Sequence, residues 1–160
     1  MKLGTTHLLH IIAGLCVASV AAALVSQHFF DMPPCAWCVF QRLLFLVIAV
    51  TCWAGILFGR LVGSAHRIAG VLAGLLALGG IVSGWYQYTV AAQMVSCDRT
   101  FADRFMVESG LDAGIPWLFG IFATCMDAQV ELLGVEYVFW AIAVFVLVFV
   151  LGLVVALRRP

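Results

Sequence analysis

Met32-Pro33-Pro34-Cys35-Ala36-Trp37-Cys38-Val39-Phe40-Gln41-Arg42 is followed by about seventeen residues without a charge, Leu43 to Gly59. Two prolines, a Cys-x-x-Cys pair and one arginine therefore stand at the mouth of an apolar run long enough to cross a bilayer as a helix. Pro33 and Pro34 have no N–H to lose and a fixed φ, so they stop a preceding helix and suit the start of a new one. In a helix that opens here, Cys35 and Cys38 lie one turn apart, and Arg42 follows Cys38 by four residues on the same face. Unsatisfied N–H groups and the positive dipole end at a helix start favour the thiolate, the form of cysteine that attacks disulfides. The stretch reads as a reactive centre.

Other uses of a Cys-x-x-Cys pair fit less well. Attachment of a c-type haem needs histidine after the second cysteine, and Val39 is there. Zinc would need four ligands; Cys97 and Cys125 could complete the set, but their wide separation is unlike the paired knuckles of structural zinc sites, so no metal is expected. A purely structural disulfide across four residues would gain little loop-closure entropy.

The surrounding chain is 65% hydrophobic and only 10% charged, with a mean hydropathy of +1.15, far outside the range of soluble domains. These values describe an integral membrane protein. Zero formal net charge and the lack of a basic cluster away from the termini argue against nucleic acid as a partner. Six cysteines in 160 residues are too few for a disulfide scaffold and enough for redox pairs.

The expected fold is an all-α, four-helix membrane bundle forming one domain over residues 1–160. Apolar runs place spans at about 8–30, 39–58, 68–90 and 137–157, with loops at 31–38 and 91–136. The first run resembles a cleaved leader in its Lys2 and Ala21-Ala22-Ala23, but it continues past that site to Phe29-Phe30 and is read as a span. Cys16 and Cys52 fall mid-span and are expected to pack rather than react. Gly70 and Gly74, like Gly80 and Gly84, are spaced for close helix contact within the bundle. Trp85, Tyr86 and Tyr88 close the third span as an aromatic belt. The long loop carries much of the charge, including Asp98, Arg99, Asp103, Arg104, Glu108, Asp112, Asp127 and Glu131. Within it, the apolar segment Gly114 to Phe122 is too short to span and is expected either to lie in the interface or to rest as a lid on the bundle, holding Cys125 near membrane level.

Lys2, Arg60, Arg67, Arg158 and Arg159 lie on one face, and Arg99 and Arg104 on the other, so the positive-inside rule puts both termini in the cytoplasm. The Cys35/Cys38 pair and the loop with Cys97 and Cys125 then share the outer side, where disulfides persist. A loop pair can meet a soluble partner, while a pair at membrane depth beside Arg42 is within reach of a lipid-soluble redox molecule. Arg42 can snorkel to the interface, or it can stabilise negative charge on sulfur or on a quinone oxygen.

With these residues in view, the chain resembles the bacterial disulfide bond formation protein B family, membrane quinone reductases that reoxidise a periplasmic thioredoxin-like oxidant. The likeness covers nearly the whole chain: four spans, Gln27-His28, Pro34-Cys35-x-x-Cys38 with Gln41-Arg42, the loop cysteines Cys97 and Cys125, and Glu131-Leu132-Leu133-Gly134 before the last span. The resemblance implies that Cys97 forms the mixed disulfide with a soluble partner of the disulfide bond formation protein A type. It further implies that Cys125 passes electrons to Cys35, that Cys38 sits against the quinone, and that Arg42 binds it. The quinone would be ubiquinone or menaquinone, and the protein would lie in the bacterial inner membrane with its active cysteines facing the periplasm. Trp37 stands where an aliphatic residue is usual, and Val138 where some members have proline. Two other classes compete. One is a four-span scaffold stapled by disulfides, against which the reactive pair beside Arg42 speaks. The other is a quinone-coupled enzyme of the vitamin K epoxide reductase type, whose arrangement of cysteines differs.

Overall fold

A computed structural model describes residues 4–59, 61–62, 64–93 and 100–158. Cys97 lies outside the described residues, as do Lys2, Arg60, Asp98, Arg99 and Arg159. In chain order the elements are α1 (Thr5–Phe29), α2 (Ala36–Phe58), α3 (Ala65–Thr89), a short 3-10 turn (Ala91–Gln93), α4 (Phe101–Glu108), α5 (Leu111–Gly114), α6 (Pro116–Phe119), β1 (Glu131–Leu132), β2 (Val135–Glu136) and α7 (Tyr137–Leu157). The four long helices, α1, α2, α3 and α7, are each long and apolar enough to cross a membrane, and the molecule is the all-α membrane bundle expected from composition. Helix α2 begins at Ala36, three residues before the expected span, so Cys38 lies inside the helix rather than in the preceding loop.

The long helices close a ring in which α1 packs on α2 and α7, and α3 packs on α2 and α7. Leu9, Ile12 and Cys16 of α1 meet Ile48 and Cys52 of α2, Ala73 and Ala77 of α3, and Phe145 and Val148 of α7, all fully buried. At the centre Phe45 stacks flat on Phe145, with ring centroids 4.0 Å apart. The outward faces carry Val47, Val50, Leu72, Leu75, Val146 and Val150, exposed side chains that suit lipid and would be costly in water.

The glycine spacing does its work against α7. A methyl group at Gly70 would stand 2.6 Å from Cγ1 of Val155, and one at Gly152 would stand 2.9 Å from the Gly70 carbonyl oxygen. The two backbones therefore touch, as small residues allow between membrane helices. Gly80 meets the Phe145 ring, and Gly84 meets Ile142, on the same face of α3. At the end of the bundle opposite the Cys35/Cys38 pair, Arg67 Nε donates to the Ala156 carbonyl (3.1 Å), satisfying one of the last acceptors of α7.

The connection between α3 and α7 is more ordered than a loop. Thr100 and Asp103 form a capping box that starts α4, a signature readable as Thr-x-x-Asp before an apolar pattern. The apolar segment from Gly114 to Phe122 divides its side chains: Phe119 is buried against Val39 of α2 and Met106 of α4, while Trp117 and Phe122 remain exposed. Leu133 and Gly134 both have positive φ (58° and 77°), the backbone of a two-residue hairpin turn between β1 and β2. The aromatic belt is only partly a belt. Trp85 faces outward, but Tyr86 packs at a tilt against Trp37 (5.0 Å between centroids) and Tyr88 against Phe139 (4.9 Å).

Candidate redox site

The prolines end one helix and start another. Asp31 has φ 51°, and the Met32 N–H reaches back to the Ser26 carbonyl (3.3 Å), reversing the chain after α1. Cys35 is then the N-cap of α2 in extended conformation, and Cys38 is one turn in, with the two Sγ atoms 3.0 Å apart as free thiols. Pro34 has no N–H to give, but its carbonyl accepts from Phe122 N (3.1 Å) and Ala123 N (3.3 Å). Those bonds dock the end of the long connection on the start of α2. Thr124 and Asp127 fix the turn that follows, the Thr124 hydroxyl donating to Asp127 (2.6 Å) and accepting from its N–H (3.2 Å). Cys125, between them, comes within hydrogen-bonding reach of Cys35.

Three of the four expected sulfurs thus form one contiguous group, Cys125 to Cys35 to Cys38; the fourth, Cys97, is outside the described residues. The helix start favours a thiolate in the pair, and Cys35 is not the sulfur that takes that form: its thiol is held well above the ordinary cysteine range. Its hydrogen bond with Cys125 is the largest cause, followed by that with Cys38 and by burial. Its side chain makes no cap bond to the helix N–H groups, so the dipole is outweighed.

Arg42 is buried at 5% exposure and does not snorkel. Its Nη1 donates to Gln27 Oε1 (2.6 Å) and the Leu118 carbonyl (3.1 Å), and its Nη2 to the Ala23 carbonyl (3.3 Å). The guanidinium thereby ties α1, α2 and the end of α6 together. Two residues that the sequence reading gave no role lie beside it. Gln87, near the end of α3, donates from Nε2 to Cys38 Sγ (3.3 Å), and Gln41 Nε2 donates to Gln87 Oε1 (2.9 Å). Gln87 could have been found from its face, because Gly80, Gly84 and Gln87 follow one another at helical spacing toward the bundle interior. The departure at Trp37 is absorbed by packing on Phe40 and Tyr86.

A cavity of about 260 Å³ opens on this group. Cys38, Gln41, Arg42 and Gln87 form its polar wall, and small residues on two helices, Ala22 and Ala23 of α1 and Ala141 of α7, form its apolar side. Arg42 Nε is buried and has no hydrogen-bond partner among the described residues. A buried donor left over beside an apolar slot suits a flat ligand with a carbonyl acceptor, which is the chemistry of a quinone.

Comparison with known proteins gives the same direction. The family model for disulfide bond formation protein DsbB matches residues 5–155. The chain is 30% identical to disulfide bond formation protein B 1 of Pseudomonas aeruginosa over 164 aligned positions, covering 99% of both chains. It is 32% identical to disulfide bond formation protein B 1 of Pseudomonas entomophila over 139 positions, 86% of this chain and 81% of that one. It is 29% identical to disulfide bond formation protein B of Herminiimonas arsenicoxydans over 141 positions, 88% and 87% of the two chains. The chain therefore belongs to the disulfide bond formation protein B family, as a multi-pass membrane oxidoreductase of disulfide bond formation.

Proposed function

We propose that this protein is a protein-dithiol:quinone oxidoreductase of the bacterial inner membrane, reoxidising a periplasmic thioredoxin-like partner of the disulfide bond formation protein A type. The observation that carries the proposal is the contiguous sulfur group Cys125–Cys35–Cys38 ending at a cavity lined by Arg42. Both termini are cytoplasmic in this reading, and Cys35, Cys38, Cys97 and Cys125 face the periplasm.

The steps on the protein are thiol–disulfide exchanges, each an attack of thiolate on disulfide that moves two electrons. A partner thiolate attacks Cys97 of the Cys97–Cys125 disulfide, giving a partner–Cys97 mixed disulfide and releasing Cys125 as thiolate. The partner's second thiol displaces Cys97, and the partner leaves oxidised. Cys125 then attacks Cys35 of the Cys35–Cys38 disulfide, releasing Cys38, and Cys97 displaces Cys35 to restore the loop disulfide. Two electrons now reside on Cys35 and Cys38. Arg42 and Cys38 are the residues that would hold the quinone, ubiquinone or menaquinone, which would supply an acceptor for that electron pair.

Mixing purified protein with the reduced partner and quinone tests the reading. One quinone should be reduced for each partner disulfide formed. Mixed instead with the oxidised partner, Cys125→Ser should accumulate a mixed disulfide as its free Cys97 attacks the partner disulfide, and Cys97→Ser should accumulate none. Partner oxidation at the native rate in Cys38→Ser, or coupling of the partner to Cys35, would refute the proposed order.

A further inference from the structure

We infer that Gln87, oriented by Gln41, is a positioning residue that donates a hydrogen bond to the Cys38 thiolate and so, together with the Cys35 thiol, makes Cys38 the sulfur that carries negative charge in the reduced pair. The inference deepens the proposed function and rests on its assignment of Cys38 as the inner sulfur.

The arrangement is directional. A thiolate can only accept, and Gln87 Nε2 lies 3.3 Å from Cys38 Sγ. An amide could equally turn its oxygen to the sulfur, but Gln41 Nε2 donates to Gln87 Oε1 at 2.9 Å, and turning either buried amide alone would set like groups face to face away from water. Turning both would put the Gln87 oxygen against Cys38, an arrangement that a thiolate, which only accepts, repels. Gly84 lets Ile142 of α7 pack close beside this pair: a methyl group there would stand 2.7 Å from Ile142 Cγ1, and only in ordinary contact, 3.6 Å, with Gln41 Nε2. Arg42 makes no hydrogen bond to Cys38. Its Nη1 and Nη2 groups donate to Gln27, Leu118 and Ala23, and its positive charge favours a Cys38 anion across space. Cys35, bonded to both Cys125 and Cys38, is the partner that keeps its proton. The chain therefore assigns the two sulfurs of one pair different protonation states with a neutral donor, adding no charge inside the membrane.

Alkylation by iodoacetamide reports thiolate, and it needs no quinone. In purified full-length Cys35→Ser protein, reduced beforehand so that the loop cysteines are free thiols, modification of Cys38 and of Cys125 is followed by mass spectrometry at neutral pH. Gln87→Leu should slow Cys38 by about tenfold or more, the scale of a hydrogen bond to a charged group, and leave Cys125 unchanged. Gln87→Glu, the same shape with an opposing charge and no donor, should slow it at least as much and serves if the leucine variant does not fold. Gln41→Leu should give a smaller slowing, because Gln87 then keeps its donor but loses its orientation. An unchanged Cys38 rate in both Gln87 variants overturns the inference, as does equal slowing of Cys38 and Cys125, which would mark a loosened helix end. Native quinone reduction by Cys38→Ser would instead remove the proposed function, and the alkylation result would stand separately.

Discussion

Cys16 and Cys52 are as deeply buried as Cys35, all at 0% exposure, yet they belong to a different kind of site. Around the first two are Leu9, Ile12, Ile48 and Ala49, an interior of hydrocarbon in which a thiol is a small apolar group. Around the second group are Arg42, Gln41, Gln87 and two further sulfurs, with a cavity at its edge. Burial alone thus says nothing about reactivity. What separates the sites is whether the buried sulfur has a donor to stabilise charge, a second sulfur to exchange with, and a space where a ligand can arrive.

The sharpest way to break that contrast is to exchange the roles. Cys38→Ser should bring quinone reduction down to background, while the double variant Cys16→Ala with Cys52→Ala should retain it within about twofold. The core variant should instead lose stability, on the order of 1–2 kcal/mol at each site from the lost packing, read as a lower thermal midpoint in detergent. Loss of turnover in a folded Cys16→Ala/Cys52→Ala protein would end the division between packing and reacting sulfurs.

Arg42 tests the same division on the polar side. Arg42→Ala removes three hydrogen bonds and the unpaired Nε beside the cavity, and should raise the KM for quinone by about tenfold to a hundredfold. Arg42→Lys should recover part of it, since an ammonium can reach one or two of the acceptors but cannot span them all. An unchanged KM in Arg42→Ala would confine the residue to holding α1 and α6 together.

The bundle was legible because a membrane leaves few options: long uncharged runs must be helices, and Pro33-Pro34 fix where α2 can start. The Cys35, Cys38 and Arg42 placements followed from helical spacing. Cys125 was legible as a partner only through family resemblance, because its approach to Cys35 depends on Phe122 and Ala123 bonding to the Pro34 carbonyl, far away in sequence and without a local signal. Gln87 was hidden among the aromatic residues that end α3, and its meaning lies in a contact with α2. Arg42 was readable as a charge that needs a partner, but not as the tie to Gln27, Ala23 and Leu118.

Next in size is the contrast between backbone that touches, where α7 meets α3, and lipid-facing backbone on α3. Gly152→Val should cost about 1–3 kcal/mol, because even its first carbon would meet the Gly70 carbonyl at 2.9 Å. Gly79→Ala, with nothing within 4 Å of the added carbon, should be neutral or slightly stabilising through helix propensity. Thermal unfolding in detergent compares them. Equal midpoints would show that α3 and α7 separate freely at this crossing.

The smallest expected effect lies where the long connection meets the reactive pair. Asp112 Oδ1 accepts from Ile121 N at 3.0 Å, just before the Phe122 and Ala123 bonds to Pro34 that bring Cys125 to Cys35. Asp112→Ala leaves the half-buried Ile121 N–H without that acceptor, a loss of about 1 kcal/mol that corresponds to roughly fivefold in a rate. The loss should fall on one step. Formation of the mixed disulfide with the partner should keep its native rate, and reduction of Cys35/Cys38 by the loop pair should slow, as followed by rapid acid quenching and mass spectrometry after adding reduced partner. Asp112→Asn keeps an acceptor oxygen and should restore the second step, which separates the hydrogen bond from the charge. If asparagine is as slow as alanine, the carboxylate acts through its charge; if alanine is as fast as the native protein, docking at Pro34 alone sets the distance between Cys125 and Cys35.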